Sequence, residues 1–317
     1  MDRRPEAGSA PDRAGMTARF FQRPYPSANT ILLTGPRPVL VDTGAVSDIP
    51  ALLAWLDAQR TPAANLALTV NTHWHVDHSG GNLALQRIGI PLAAAAPDAA
   101  ALAAHHPDFA RAHWLHQPAA PYQADRALHP GDTLDTGTRR WTVLALPGHT
   151  ATQIGLWDPC GRIIVGGDAL HDADIGWLDT EADPQALDHA AATLDHIEAL
   201  APGIVLSGHG PAIHDVPTAL HRARRRLHGF RTQPDRMAWH ACKRIFTHAL
   251  MLEHGLTRAA IPPFLHASPW FHYYAHHAFG TTPDAFTPLL LAEMTRSGAA
   301  RWADTRLVAT APYTPPA

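Results

Sequence analysis

Over the first two thirds of the chain, short apolar runs alternate with alanine-rich amphipathic stretches. Thr30-Ile-Leu-Leu and Pro38-Val-Leu-Val-Asp-Thr-Gly44 read as strands around a Gly-Pro turn. Ile49 to Gln59 places Leu52, Leu53 and Leu56 on one helical face. Leu66 to Val70 predicts a strand, and Asn82 to Arg87 opens a further helix. Pro97 to His105 and Asp108 to Leu115 have helical character. Arg139 to Leu146 and Arg162 to Val165 predict strands, Pro184 to Leu200 a helix, and Ile204 to Leu206 a last strand. This alternation predicts an α/β unit ending near His214. Beyond it the period becomes helical, at Ala219–Phe230, Arg236–His254 and Phe286–Ser297. An extended piece, Arg306 to Thr310, follows. Helices ending in such a strand suit a small winged-helix-like module.

The expected organisation is a leader at 1–16, a catalytic unit at 17–214 and a mainly helical region at 215–317. The leader, MDRRPEAGSAPDRAGM, lacks the apolar core of a secretory signal, and Met16 is a candidate start. With 46% hydrophobic and 17% charged residues, the 317-residue chain has ample material for a packed core. No apolar run reaches the length of a membrane span. The two cysteines, Cys160 and Cys242, are far apart, which argues against a disulfide scaffold and fits a reducing cytoplasm.

Charge is uneven. Residues 1–214 carry 13 Arg and 22 acidic residues, and residues 215–317 carry 12 Lys+Arg and 6 acidic residues, which together return the overall −3. Bound divalent cations would offset part of the first imbalance. Arg222, Arg224, Arg225 and Arg226 raise nucleic-acid binding, although such a run is usually a solvated helix face.

The chemistry concentrates in four segments of one format, a short apolar strand, a tight turn, then ligand-type side chains. The first is Asn71-Thr-His-Trp-His-Val-Asp-His-Ser-Gly-Gly-Asn82, with three histidines and an aspartate between 73 and 78. The others end in Pro-Gly-His149, Gly-Gly-Asp168 and Ser-Gly-His209. Loops at the ends of neighbouring strands converge on one sheet edge. His73, His75, Asp77, His78, His149, Asp168 and His209 are therefore expected at one place. Seven N/O donors suit two divalent ions, zinc foremost, with manganese or iron as alternatives. The alternation in His73-x-His75 lets these two share one ion, while Asp77 and His78 serve a second.

In that order, His-x-His-x-Asp-His, Gly-His, Gly-Asp and Gly-His-Gly resemble the metallo-β-lactamase-fold hydrolases over roughly residues 17–214. The resemblance implies a four-layer αββα sandwich. It implies His73, His75 and His149 on one ion, Asp77, His78 and His209 on the other, and Asp168 between them. Asp42, in Val-Asp-Thr-Gly, matches the family's buried supporting aspartate. An aspartate at 168 resembles the glyoxalase II-like thioesterases, the acyl-homoserine-lactone lactonases and the RNA- or phosphodiester-cleaving members rather than true β-lactamases. Lactonases follow that aspartate with a tyrosine, and this chain has none there. The glutathione-binding residues of glyoxalase II have no match either. The C-terminal helices are similar to modules appended to an endoribonuclease and a quorum-signalling thioesterase of the superfamily.

The expected function is dinuclear hydrolysis of a thioester, lactone or ester by a bridging hydroxide, with Asp77 or Asp168 guiding the proton. The alternatives are an RNA- or phosphodiester-cleaving nuclease, and a signalling or interaction protein on a hydrolase scaffold. His171, Trp177 and Trp270 are candidate substrate contacts, and a homodimer is a candidate assembly. The aromatic run Trp270 to Tyr274 reads as core or dimer contact, or else as pocket lining. Residues 215–317 are expected to cover the metal site, with the stretch from Pro262 to Phe279 supplying pocket wall. His272 and His276 have a helix-face spacing, but nothing completes a metal set around them. Serine-hydrolase elbows, P-loops and Cys-x-x-Cys pairs are absent from the sequence.

Overall fold

The computed structural model describes residues 17–106, 111–117, 119 and 121–313. The expected leader at 1–16 and the first residues of the helix expected from Asp108 lie outside them.

Two sheets face each other. The first runs in the order β1 (Ala18–Phe21), β2 (Thr30–Leu33), β3 (Val39–Val41), β4 (Leu68–Val70), β5 (Leu92–Ala95), β6 (Arg126–Leu128). Its last four strands are parallel. The second runs β11 (Ile204–Ser207), β10 (Ile163–Gly167), β9 (Ile154–Asp158), β8 (Arg140–Ala145), β7 (Thr133–Asp135). Only its β10–β11 pair is parallel.

The period-2 alternation of strand side chains sorts the apolar residues into layers. Ile31, Leu33, Val39, Val41 and Val70 point inward to meet Trp141, Val143, Leu156, Val165 and Leu206 between the sheets. Leu32 and Leu40 point outward, onto Leu52 and Leu56 of α1 (Ile49–Ala58). On the opposite face Leu144, Ile164 and Val205 meet α6 (Ala186–Leu200) and α7 (Val216–Thr232). The result is a four-layer αββα sandwich. The shorter helices are α2 (Val76–Ser79), α3 (Asn82–Arg87), α4 (Ala96–Ala103) and α5 (Ala112–Leu115).

A separate apolar core holds the C-terminal region. It joins α8 (Pro234–Leu252), β12 (Leu256–Thr257), α9 (Ile261–His266), α10 (Pro269–Tyr273), α11 (Pro283–Arg296), β13 (Ala300–Ala303) and β14 (Arg306–Ala309). Its small antiparallel sheet has the order β12–β14–β13. That order, after helix–strand–helices–strand–strand, is a winged-helix arrangement. Trp114, Leu115 and Trp177 of the sandwich pack into the same core, which fixes the region against the sandwich.

The sequence pattern did not announce β1, β5, β6, β7, β9, β12 or β13. In β5 the sequence Leu-Ala-Ala-Ala has helical propensity, and burial on both faces overrides it. No helix among the described residues is long and apolar enough to cross a membrane. Cys160 and Cys242 are both free.

Candidate metal centre

β3 and β4 of one sheet, and β8, β10 and β11 of the other, all direct their C-terminal ends to one edge of the sandwich. The residues that follow them are Asp42, His73 to His78, His149, Asp168 and His209. Gly208 lets the β11 loop come this close, because a Cβ there would collide with the Asp168 carboxylate. Three donor groups result: His73 with His75 and His149; His73 with His78 and Asp168; and Asp77 with His78 and His209. Within each, the donor atoms lie within 4.8 Å of one another.

Proton bookkeeping shows what these groups lack. His149 Nδ1–H donates to the Trp177 carbonyl at 2.6 Å, so its Nε2 carries a lone pair. Thr72 Oγ1 donates to Asp42 Oδ2 at 2.8 Å, which leaves it to accept from His73 Nδ1 at 3.1 Å. His73 Nε2 then also carries a lone pair. Both lone pairs converge on His75 Nδ1, at 2.9 and 2.8 Å. One hydrogen there can serve only one of them. Nearby, His78 Nδ1–H donates to Asp42 Oδ2 at 2.8 Å; with that ring neutral, Nε2 would face Asp168 Oδ1 as acceptor to acceptor at 3.4 Å, a clash that only a proton or a cation between them relieves. Neither His78 Nε2 nor Asp168 Oδ1, both buried, has a hydrogen-bond partner. Such crowded, orphaned acceptors are what cations satisfy, so the residues fit a divalent-metal centre.

The electrostatics agree. Burial, reinforced by neighbouring histidines, drives the pKa of His73 and His75 well below the ordinary value, and burial takes His149 down to about 4. These three are neutral ligands at physiological pH. Burial opposes charge on Asp77 and Asp168. The imidazoles of His78 and His209 nevertheless hold both far below the usual carboxylate range, with His171 adding to the effect at Asp168. Burial likewise opposes charge on His78, but Asp42, Asp168 and Asp77 together raise it well above normal. A cluster of ionised carboxylates that pulls a proton onto a buried imidazole demands positive charge.

Asp42 sits where its own backbone is unusual, at φ 57°. Aspartate tolerates this conformation better than most residues. Its Oδ1 accepts from Thr72 N at 2.8 Å, and the Thr72 side chain and His78 both use Oδ2. One carboxylate thus holds both ends of the segment that carries His73, His75, Asp77 and His78.

A cavity of about 80 Å³ opens onto these donors. His171 and Trp177 lie on it, with His171 Nε2 3.3 Å from Asp168 Oδ1. Trp270 does not line it. That ring is fully buried in the C-terminal core, between Phe246 and Phe271. The expectation that Trp270 touches substrate is therefore corrected: its indole face fills the winged-helix core. The sequence reading missed Tyr25, Gln117, Arg244 and His248, which do line the cavity. Tyr25 stacks on His209 with ring centroids 4.7 Å apart. A lone Arg or His on an amphipathic helix carries no local signal, and only the docking of α8 brings Arg244 and His248 here.

Fold and site together define a metallo-β-lactamase-fold protein. A family model described as the metallo-beta-lactamase superfamily matches residues 24–209, and the chain belongs to that superfamily. It is similar to human acyl-coenzyme A thioesterase MBLAC2, at 31% identity over 176 residues, 48% of this chain and 61% of that protein. It is also similar to a hydroxyacylglutathione hydrolase of Hyphomonas neptunium, at 27% identity over 39% of this chain and 41% of that one. The chain thus spans less than two thirds of the length of these relatives. Among solved structures, the metallo-beta-lactamase family protein TTHA1429 of Thermus thermophilus has a TM-score of 0.58 and 20% identity. That match covers 92% of this chain and 98% of that one, and shows a shared fold.

Proposed function

We propose that the chain is a dinuclear metal-dependent hydrolase of an activated acyl bond, a thioester, lactone or ester. The carrying observation is the set of seven donors gathered in three overlapping groups, with His78 Nε2 and Asp168 Oδ1 buried and without hydrogen-bond partners. The similarity to a thioesterase and to a hydroxyacylglutathione hydrolase supports the acyl reading over the phosphodiester one.

In this reading His73, His75 and His149 hold one ion and Asp77, His78 and His209 the other, with Asp168 shared. Zinc suits the donor set first, and manganese or iron suit it as well. The ions would supply a water of lowered pKa and charge to stabilise a developing oxyanion. The chain's own residues do the rest. The Trp177 carbonyl fixes the tautomer of His149, and Asp42 fixes that of His78, so both rings present Nε2 inward. Asp77 Oδ2, 3.1 Å from His209 Nε2, is placed to take the proton released as a water attacks the carbonyl. The small cavity admits the reacting end of a substrate. His171 and Trp177 shape that end. We take residues 17–214 as the catalytic unit, and 215–317 as the region whose α8 closes the cavity.

A screen of thioesters, lactones, esters and phosphodiesters on zinc-loaded protein tests this. Turnover of an acyl substrate that Asp168→Ala abolishes is expected. Phosphodiester cleavage without acyl hydrolysis would overturn the proposal.

A further inference from the structure

The cavity wall contributed by α8 carries an arginine with no place in the metal chemistry. Among the described residues that line the cavity, Arg244 is the one Arg or Lys. Its Nη2 donates to Asp174 Oδ2 at 2.6 Å, and its guanidinium also donates to the Tyr25 hydroxyl. Asp174 is itself shared: Arg226 Nε donates to Oδ1 at 2.8 Å, and His240 Nε2 lies 3.4 Å from Oδ2. Burial lowers the pKa of His240, so it stays neutral at physiological pH. Two guanidiniums therefore face one carboxylate, and the cluster has one positive charge in excess. His248, one turn along α8, is also held neutral, chiefly by burial, and cannot supply a competing cation. Asp168 faces Arg244 across the cavity, but its charge is committed to the metal-ligand group.

We infer that Arg244 makes this cavity select acyl substrates carrying a carboxylate close to the scissile carbonyl. The inference rests on the acyl-hydrolase reading of the same site. Guanidinium matches carboxylate geometry with paired N–H donors, and Tyr25 pins it in place. The side chain keeps 38% of its surface accessible, so its remaining donors are reachable. Arg244 lines the same cavity as His75, Asp77, His149, Asp168 and His209, so a carboxylate near the reacting carbonyl is the group it is placed to meet. The carboxylate belongs either to the acyl part or to the departing thiol or alcohol.

The test uses zinc-loaded full-length protein and matched thioester pairs. Butyryl against succinyl esters of one neutral thiol probe the acyl side. Acetyl esters of a neutral thiol against 3-mercaptopropionate probe the leaving side. The wild type should prefer the acidic member of one pair by about tenfold or more in kcat/KM, the scale of a charge-assisted contact. In Arg244→Gln that ratio should fall toward unity, and Arg244→Lys should restore part of it. A wild type without preference, or a ratio unchanged in Arg244→Gln, overturns the inference. Succinate binding by calorimetry separates the two readings. If no thioester, lactone or ester is hydrolysed, the acyl-hydrolase reading fails. A Kd then raised about tenfold in Arg244→Gln still assigns carboxylate recognition to Arg244, whereas an equal Kd removes it.

Discussion

Asp42 carries more of the site than its distance from the cavity suggests. It accepts from Thr72 twice and from His78 once, so it orients the residues on either side of His73. Asp42→Asn should lower metal affinity by roughly 10- to 100-fold, the usual scale for losing such a partner. Chelator competition measures this, and unchanged affinity would contradict the orienting role. Asp98 offers a test unconnected with metal. Burial pushes its carboxyl up to about 7, against about 4 when unfolded. Between those values the folded chain keeps a proton that the unfolded chain releases, so its contribution falls as pH rises from about 4 to about 7, then levels. Asp98→Asn removes that loss. The variant should gain on the wild type by about 1–3 kcal/mol between pH 5 and pH 8, read from denaturant unfolding. A difference independent of pH would contradict it. At this scale the seven donors were readable in the chain because six of the seven stand within a few residues of a glycine-bearing turn after an apolar strand. Arg244 and His248 were not readable, because nothing in α8's own pattern separates a residue facing a cavity from one facing solvent.

Helix α7 shows how an element can mislead when read alone. Its arginine run resembles a nucleic-acid surface. In the fold, Arg224 donates to Asp195 and Glu198, Arg231 to Asp188, Arg226 to Asp174, and Arg222 lies by Asp172. Acids from α6 and the loop after β10 thus engage Arg222, Arg224, Arg226 and Arg231, with Asp174 shared between Arg226 and Arg244. The charge imbalance between the two parts of the sequence becomes complementarity across that contact. Arg224→Ala should cause a small loss of Tm at low salt that shrinks near about 1 M salt, as exposed ion pairs do. A salt-independent loss would show that packing, not charge, is involved. α10 misleads in the other sense. Its aromatic run looked like pocket wall, but Trp270 and Phe271 are fully buried in the C-terminal core. Trp270→Ala should cost about 3–5 kcal/mol in denaturant unfolding, as deletion of a buried indole does. Unchanged stability with an altered KM would return this residue to the cavity. The strands β5 and β9 escaped notice because full burial erases the alternation that marks a strand.

Across the whole molecule, the two sheets and the winged-helix region have separate work. The sandwich brings five strand ends to one edge, and the shared strand–turn–ligand format of four of those segments predicted that they would converge. That the C-terminal region would cover the site was expected from the sequence. The wall is made by Arg244, Ile245 and His248 of α8 rather than by the aromatic stretch 262–279, because Trp114, Leu115 and Trp177 seat the C-terminal core with α8 toward the cavity. The central claim is that the facing donors hold two ions that act together on an acyl substrate. The direct measurement is a titration of metal-free protein with zinc, following hydrolysis of a thioester shown to be a substrate. Activity should rise to a plateau at two equivalents per chain. Full activity at one equivalent, or turnover that ignores zinc at every loading, would contradict the account.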